Sequence, residues 1–179
     1  MIKFSKILEL PVISISTGER LGTIHDIFFI PGSMKIIVFI IHIKRLITSE
    51  KGLPAEEIIK VGKNAVLIRD ESKIVDINQL DIPDDAKSYR KDIAEIPVYT
   101  DSGLNVGYVQ DAIFNFELGV LAEFEISDGI VQDLIEGRKK VPASESLHLE
   151  KGILILENKI ISDIKHTGKG LKRLLSERK

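Results

Sequence analysis

The sequence predicts an all-β chain of two small barrel modules in tandem, followed by a short basic tail with helical spacing. Three observations predict it: an ordered internal repeat, short β-branched runs cut by glycine and proline turns, and a shift of composition after Ile164.

The repeat organises everything else. Leu10-Pro11-Val12 returns as Ile96-Pro97-Val98, and Thr17-Gly18-Glu19-Arg20-Leu21-Gly22 returns as Ser102-Gly103-Leu104-Asn105-Val106-Gly107. Asp26 with its following apolar residues corresponds to Asp111 with Ala112-Ile113-Phe114. Leu53-Pro54-Ala55-Glu56-Glu57 matches Val141-Pro142-Ala143-Ser144-Glu145, and Val66-Leu67-Ile68 matches Leu154-Ile155-Leu156. The order is kept throughout, so the chain is expected to be a tandem duplication.

Taken in order, Val12 to Ser16 alternates apolar and small polar residues, the pattern of a half-buried strand. Gly18 and Gly103 sit in polar turns, and Gly22 and Gly107 open the next strands, where a bulge or a close backbone approach is common. Met34 to Ile43 reads as a buried central strand and Val120 to Ile126 as its counterpart. In the second copy Val109, Ala112, Phe114 and Phe116 shift phase at Gln110-Asp111, which predicts a bulge. The expected divisions are a first domain at 1–80, a linker at 81–92, a second domain at 93–164 and a basic tail at 165–179.

Composition narrows the function classes. Apolar residues make up 44% of the 179 and charged residues 29%, as in a folded, soluble protein. A net charge of −2 excludes a whole-surface polycation, so nucleic-acid affinity would need a local patch. There is no cysteine, which removes disulfides, thiolate nucleophiles and Cys-rich metal sites. Ile36 to Ile43 is far shorter than the roughly 20 residues of a membrane-spanning helix. The start, Met1 to Lys6, lacks the apolar core of a signal peptide, so a cytoplasmic protein is expected.

The apolar-Pro-Val opening, the glycine turn, a Gly-x-Val/Ile-x-Asp strand and a later apolar-Pro step resemble the PRC-barrel family. In this sequence they are Leu10-Pro11-Val12, Gly18, Gly22-Thr23-Ile24-His25-Asp26 and Leu53-Pro54. They recur as Ile96-Pro97-Val98, Gly103, Gly107-Tyr108-Val109-Gln110-Asp111 and Val141-Pro142. The resemblance implies two six-stranded barrels like the cytoplasmic domain of the photosynthetic reaction-centre H subunit. It also implies kinship with the C-terminal domain of a ribosome-maturation factor, and closest likeness to free-standing tandem proteins of bacteria and archaea. Neither the H subunit nor the ribosome-maturation factor uses its barrel as an enzyme, so the resemblance implies the fold more than a function.

The residues themselves point the same way. His25, His42, His148 and His166 contain no His-x-x-x-His pair and are not shared by the repeats, so no metal site is expected. Asp26 and Asp111 occur in both copies. As functional groups they would be general bases or cation ligands; as structural groups they would accept N–H bonds freed by the bulge, which the sequence favours because no second catalytic group travels with them. Glu57 and Glu145 are better explained by capping than as an acid pair. There is no Gly-x-Ser-x-Gly elbow, and Gly168-Lys169-Gly170 lacks phosphate-loop spacing. Tyr89, Tyr99 and Tyr108 read as interface or half-buried residues.

A non-catalytic adaptor that binds a protein partner, without cofactor or metal, is the expectation. Its candidate contact residues are Glu123 and Glu125, on the outer face of the alternating Val120–Ile126 run, and Lys165, Lys169, Lys172 and Arg173 in the tail. Leu171, Leu174 and Leu175 lie at helical spacing beside that charge. The alternative is a ribosome- or RNA-associated factor in which the tail supplies salt-sensitive affinity; peripheral contact with anionic lipid is a third use of the same segment.

Overall fold

The computed structural model describes residues 1–44, 48–130, 133, 137–144, 147–150, 152–163 and 165–166. The first half contains β1 (Ile2–Lys3), one helical turn α1 (Phe4–Ile7), β2 (Pro11–Ser14), β3 (Arg20–Ile30), β4 (Lys35–Lys44) and β5 (Thr48–Pro54). It ends with β6 (Ile58–Val61), β7 (Val66–Ile68) and β8 (Val75–Asp76).

In β2 the alternation read from sequence is realised, with Val12 and Ser14 fully buried between half-buried neighbours. In β4 both faces are covered, and Ile36, Val38, Phe39, Ile40 and Ile41 are all buried. A continuous apolar run is what a strand without a wet face requires. Gly22 lies where β3 passes close to β4: a Cβ there would stand 2.5 Å from the His42 carbonyl oxygen and 2.6 Å from Ile41 Cγ2.

The second half comprises β9 (Lys87–Ser88), a π-helical turn Tyr89–Ile93, β10 (Pro97–Thr100), β11 (Asn105–Asn115) and β12 (Val120–Ser127). β13 (Lys139–Pro142), β14 (Leu147–Glu150), β15 (Ile153–Leu156) and β16 (Lys165–His166) follow. Its registers reproduce those of the first half. Every β3–β4 pair reappears in β11–β12 with both residues 85 positions later, from Thr23 opposite His42 (Tyr108 opposite Ser127) to Ile30 opposite Lys35 (Asn115 opposite Val120). The bulge expected at Gln110-Asp111 is present, and its twin lies between Ile24 and Asp26. The parallel β2–β7 ladder likewise returns as β10–β15.

The halves join where β4 meets β12 through Lys35 and Val120, which are equivalent positions, so a pseudo-two-fold axis runs between them. The flanking bonds obey it: Ile36 N–H donates to Gly119 O and Leu121 N–H to Met34 O, both at 2.8 Å. Each lead-in segment is docked on the other half, β1 on β11 and β9 on β3. The second lead-in turn holds five residues against four in α1. One residue inserted into a helical turn produces a π-turn, which accommodates it without disturbing the strands on either side. Phe4 and Tyr89, the first residues of the two turns, pack with ring centroids 4.2 Å apart, and Phe114 lies 6.2 Å from Phe4.

Two expectations change. Separate closed barrels are not what the ladders form: one sheet runs β14-β15-β10-β11-β12-β4-β3-β2-β7-β6 through both halves, and its path is open among the described residues. Pro54 has no N–H to extend β5, and the 3-10 turn Ala55–Glu57 redirects the chain, so β6 pairs with β7 instead of closing onto β5. Residues 87–92, expected at the end of the linker, lie in β9 and the π-turn and belong to the junction. No helix among the described residues is long and apolar enough to cross a membrane.

Candidate functional site

Two groups of polar side chains stand out, one at the junction and one on the face of the first half. The junction group is built on the bulge aspartates. Asp111 accepts from its neighbour Ala112 N–H at 2.9 Å, and from Ser5 N–H at 3.2 Å and Ser5 Oγ at 2.6 Å in the opposite half's α1. Asp26 mirrors it, accepting from Ile27 N–H at 2.7 Å, from Arg90 N–H at 3.1 Å and from the Ser88 hydroxyl. The bulge frees a backbone donor, the carboxylate takes it, and its remaining lone pairs tie down the other half's lead-in turn. Both acids thus hydrogen-bond across the junction from equivalent positions. The Tyr89 hydroxyl beside them is pushed far up from its ordinary pKa by burial first and then by the carboxylates of Asp111, Glu125 and Asp26.

Glu125 corrects an expectation. Alternation along β12 places it on an outer face, yet its side chain is fully buried. Its Oε2 accepts from Lys3 Nζ at 2.5 Å, and Arg138 Nη1 stands 3.6 Å away. Its Oε1 has no hydrogen-bond partner among the described residues. The alternation rule assumes one wet face, but the Lys3 side chain from the first half's lead-in strand reaches across to this one. Ile40, its counterpart, is also buried. Glu123 is partly exposed and pairs with Lys140 Nζ at 3.3 Å.

The second group comes from three neighbouring strands. His42 in β4 is the direct cross-strand partner of Glu50 in β5. His25 is the extra residue of the β3 bulge, and such residues are aimed away from the regular pleat. The two imidazoles stack with centroids 3.5 Å apart and planes at 19°. Glu50 Oε1 lies 3.0 Å from His42 Nε2 and 3.8 Å from His25 Nε2. Arg90 Nη1 stands against the His25 ring, 3.0 Å from Nδ1 and 3.4 Å from Nε2, and donates to the His25 carbonyl at 3.3 Å. Burial first, then His42 and Arg90, hold the His25 pKa below its ordinary value, and the hydrogen bond from His42 lowers that of Glu50. The second half has Gln110 and Ser127 where the first has His25 and His42, so the histidine pair belongs to the first half alone.

Sequence reasoning treated the histidines one at a time and missed this convergence. The signal was the bulge itself: the phase shift recognised at Gln110 carries over to His25 through the repeat. Of the other candidates, Lys165 lies in β16, whose backbone pairs with β13. Lys169, Lys172 and Arg173 fall outside the described residues. His148 is exposed and 3.5 Å from Glu157, and Glu57 pairs with Lys73 at 2.9 Å. Tyr89 is buried in the junction, whereas Tyr108 is exposed.

Residues 1–74 match the family model of the PRC-barrel domain. That stretch, which spans the first half of the β architecture, is thus similar to a PRC-barrel domain. Comparison with curated protein sequences gave no match.

Proposed function

We propose that the chain is a non-catalytic adaptor, two PRC-barrel copies fused into one pseudo-symmetric body that binds a protein partner. The family match over residues 1–74 supports the module, and the registers that recur 85 positions later support a second copy. A cytoplasmic site of action belongs to the same proposal and rests on the sequence.

The observation that carries the binding role is the groove where the halves meet. It encloses about 290 Å³ and is lined by Ile36, Phe39, Ile58, Ile59 and Phe116, with Lys60 and Glu117 at hand for polar contacts. Ile59 is 51% exposed, and Leu118, in the turn that supplies Phe116, is 72% exposed. Large apolar side chains left in water beside an apolar groove favour apolar, salt-tolerant contacts with a protein.

The test is capture from a native lysate with residues 1–179, with and without nuclease, followed by calorimetry of the purified partner against wild type and Ile59→Asp. The adaptor reading expects a partner that survives nuclease and high salt, binds directly, and loses at least tenfold in affinity to Ile59→Asp. Recovery that vanishes with nuclease or salt overturns it and favours the RNA alternative.

A further inference from the structure

From the placement of His25, His42 and Glu50 we infer a binding site for a first-row divalent transition-metal ion of the zinc type on the face of the first half.

The chemistry of the donor set selects the metal. Two imidazole nitrogens and one carboxylate suit zinc and its neighbours, whereas calcium and magnesium ask for oxygen alone. Metal–ligand bonds of about 2.0–2.2 Å in a tetrahedron put ligand atoms about 3.3 Å apart. The distances from Glu50 Oε1, 3.0 Å to His42 Nε2 and 3.8 Å to His25 Nε2, bracket that value. All three ligand atoms lie within 4.8 Å of one another. The supports are strands rather than loops: Glu50 and His42 are locked by their ladder, and the bulge fixes His25.

Access is open. The three side chains are 24%, 23% and 50% exposed, and a cleft of about 340 Å³ bordered by Arg20, Gly22 and Thr23 opens beside His42. A fourth, solvent-facing position is left for water.

Two adjustments accompany binding. The stacked rings splay, because parallel imidazoles 3.5 Å apart do not aim both lone pairs at one point. The Arg90 guanidinium, now 3.0 Å from His25 Nδ1, swings away from the incoming charge. Arg90 is thus a built-in competitor of the ion, and its backbone N–H is held by Asp26 in the junction clasp. Metal occupancy is thereby coupled to the segment that joins the halves.

The experiment is calorimetric titration of tag-free, chelator-stripped 1–179 with Zn²⁺, with Co²⁺ as an optical probe. Wild type is expected to bind one equivalent and to give the intense visible bands of four-coordinate Co²⁺. His42→Ala and Glu50→Gln are expected to weaken binding by at least tenfold, since even the loss of a group supporting a ligand costs about that much. Arg90→Gln is expected to tighten it by about tenfold, the scale of a doubly charged ion relieved of one guanidinium a few ångströms away in a water-like medium. Glu50 is half exposed, so Glu50→Gln keeps the fold even if His42→Ala does not. No saturable binding, or binding that both ligand variants leave unchanged, overturns the site. Protein-partner affinity does not enter these readouts, so the site and the adaptor role fail separately.

Discussion

Lys3 and Glu125 offer the sharpest quantitative test of how the halves are held. Lys3→Ala removes the main counter-charge from a carboxylate with no exposed surface. Breaking one partner of a buried pair costs about 3–5 kcal/mol because the other charge is stranded. Arg138, 3.6 Å from the same oxygen, keeps part of the compensation, so the lower end applies, about 3 kcal/mol. For a chain of this size that lowers the melting temperature by roughly 6–12 °C. The reverse substitution behaves differently. Glu125→Ile installs the residue type that Ile40 already provides at the equivalent position. Lys3, 37% exposed, can then turn to solvent. Replacing a buried charge with a well-packed apolar group is neutral or stabilising, so a change between 0 and about +2 kcal/mol is expected. Urea denaturation at constant m-value measures both. A Lys3→Ala cost under about 0.5 kcal/mol, or a Glu125→Ile cost equal to it, refutes the reasoning.

Three further outcomes follow from the same geometry. Asp111→Ala, which strands the donors of Ser5 and Ala112, costs about 2–4 kcal/mol, and Asp111→Asn, which keeps an acceptor, costs visibly less in the same urea titration. Gly107→Ala costs at least about 3 kcal/mol, because φ is 132° and a Cβ would overlap the Ser127 carbonyl; wild-type stability in that variant would contradict the strand approach. Stability in chelator-containing buffer falls as pH drops from 7 to 4. Burial first, then His42 and Arg90, make His25 resist protonation in the fold against the opposing pull of Glu50 and Asp26, so the unfolded chain gains the proton first near 6.5. Glu50 is held below its ordinary 4.5, so its contribution is present above that value and is lost as pH falls through its folded pKa. His25→Gln, which borrows the side chain of Gln110, flattens the upper part of that profile.

What the sequence disclosed follows from what periodicity encodes. The ordered matches around Pro11/Pro97 and Gly22/Gly107 anticipated registers that recur pair for pair, and the phase shift at Gln110-Asp111 located a bulge. The junction stayed hidden because its partners, Lys3, Ser5, Ser88 and Arg90, precede the recognisable motifs and dock on the opposite half. The same docking brings Lys3 to Glu125, whose side chain is fully buried, a contact that alternation along β12 does not foresee. Closure was overestimated because a count of strands does not say which edges meet after Pro54. The His25–His42–Glu50 cluster was illegible for a related reason: its members share no spacing, only adjacent strands and one bulge.

The central structural claim is that the two halves form one body through exchanged lead-in segments. Amide hydrogen exchange on wild type and Lys3→Ala tests it most directly. If the claim holds, the β3–β4 and β11–β12 amides, Ile41 and Ile126 among them, share one global opening. They then lose protection together by about 100-fold, the equivalent of roughly 3 kcal/mol. Loss confined to the β11–β12 amides, with Ile41 and its neighbours unchanged, would show two independent units and contradict the account.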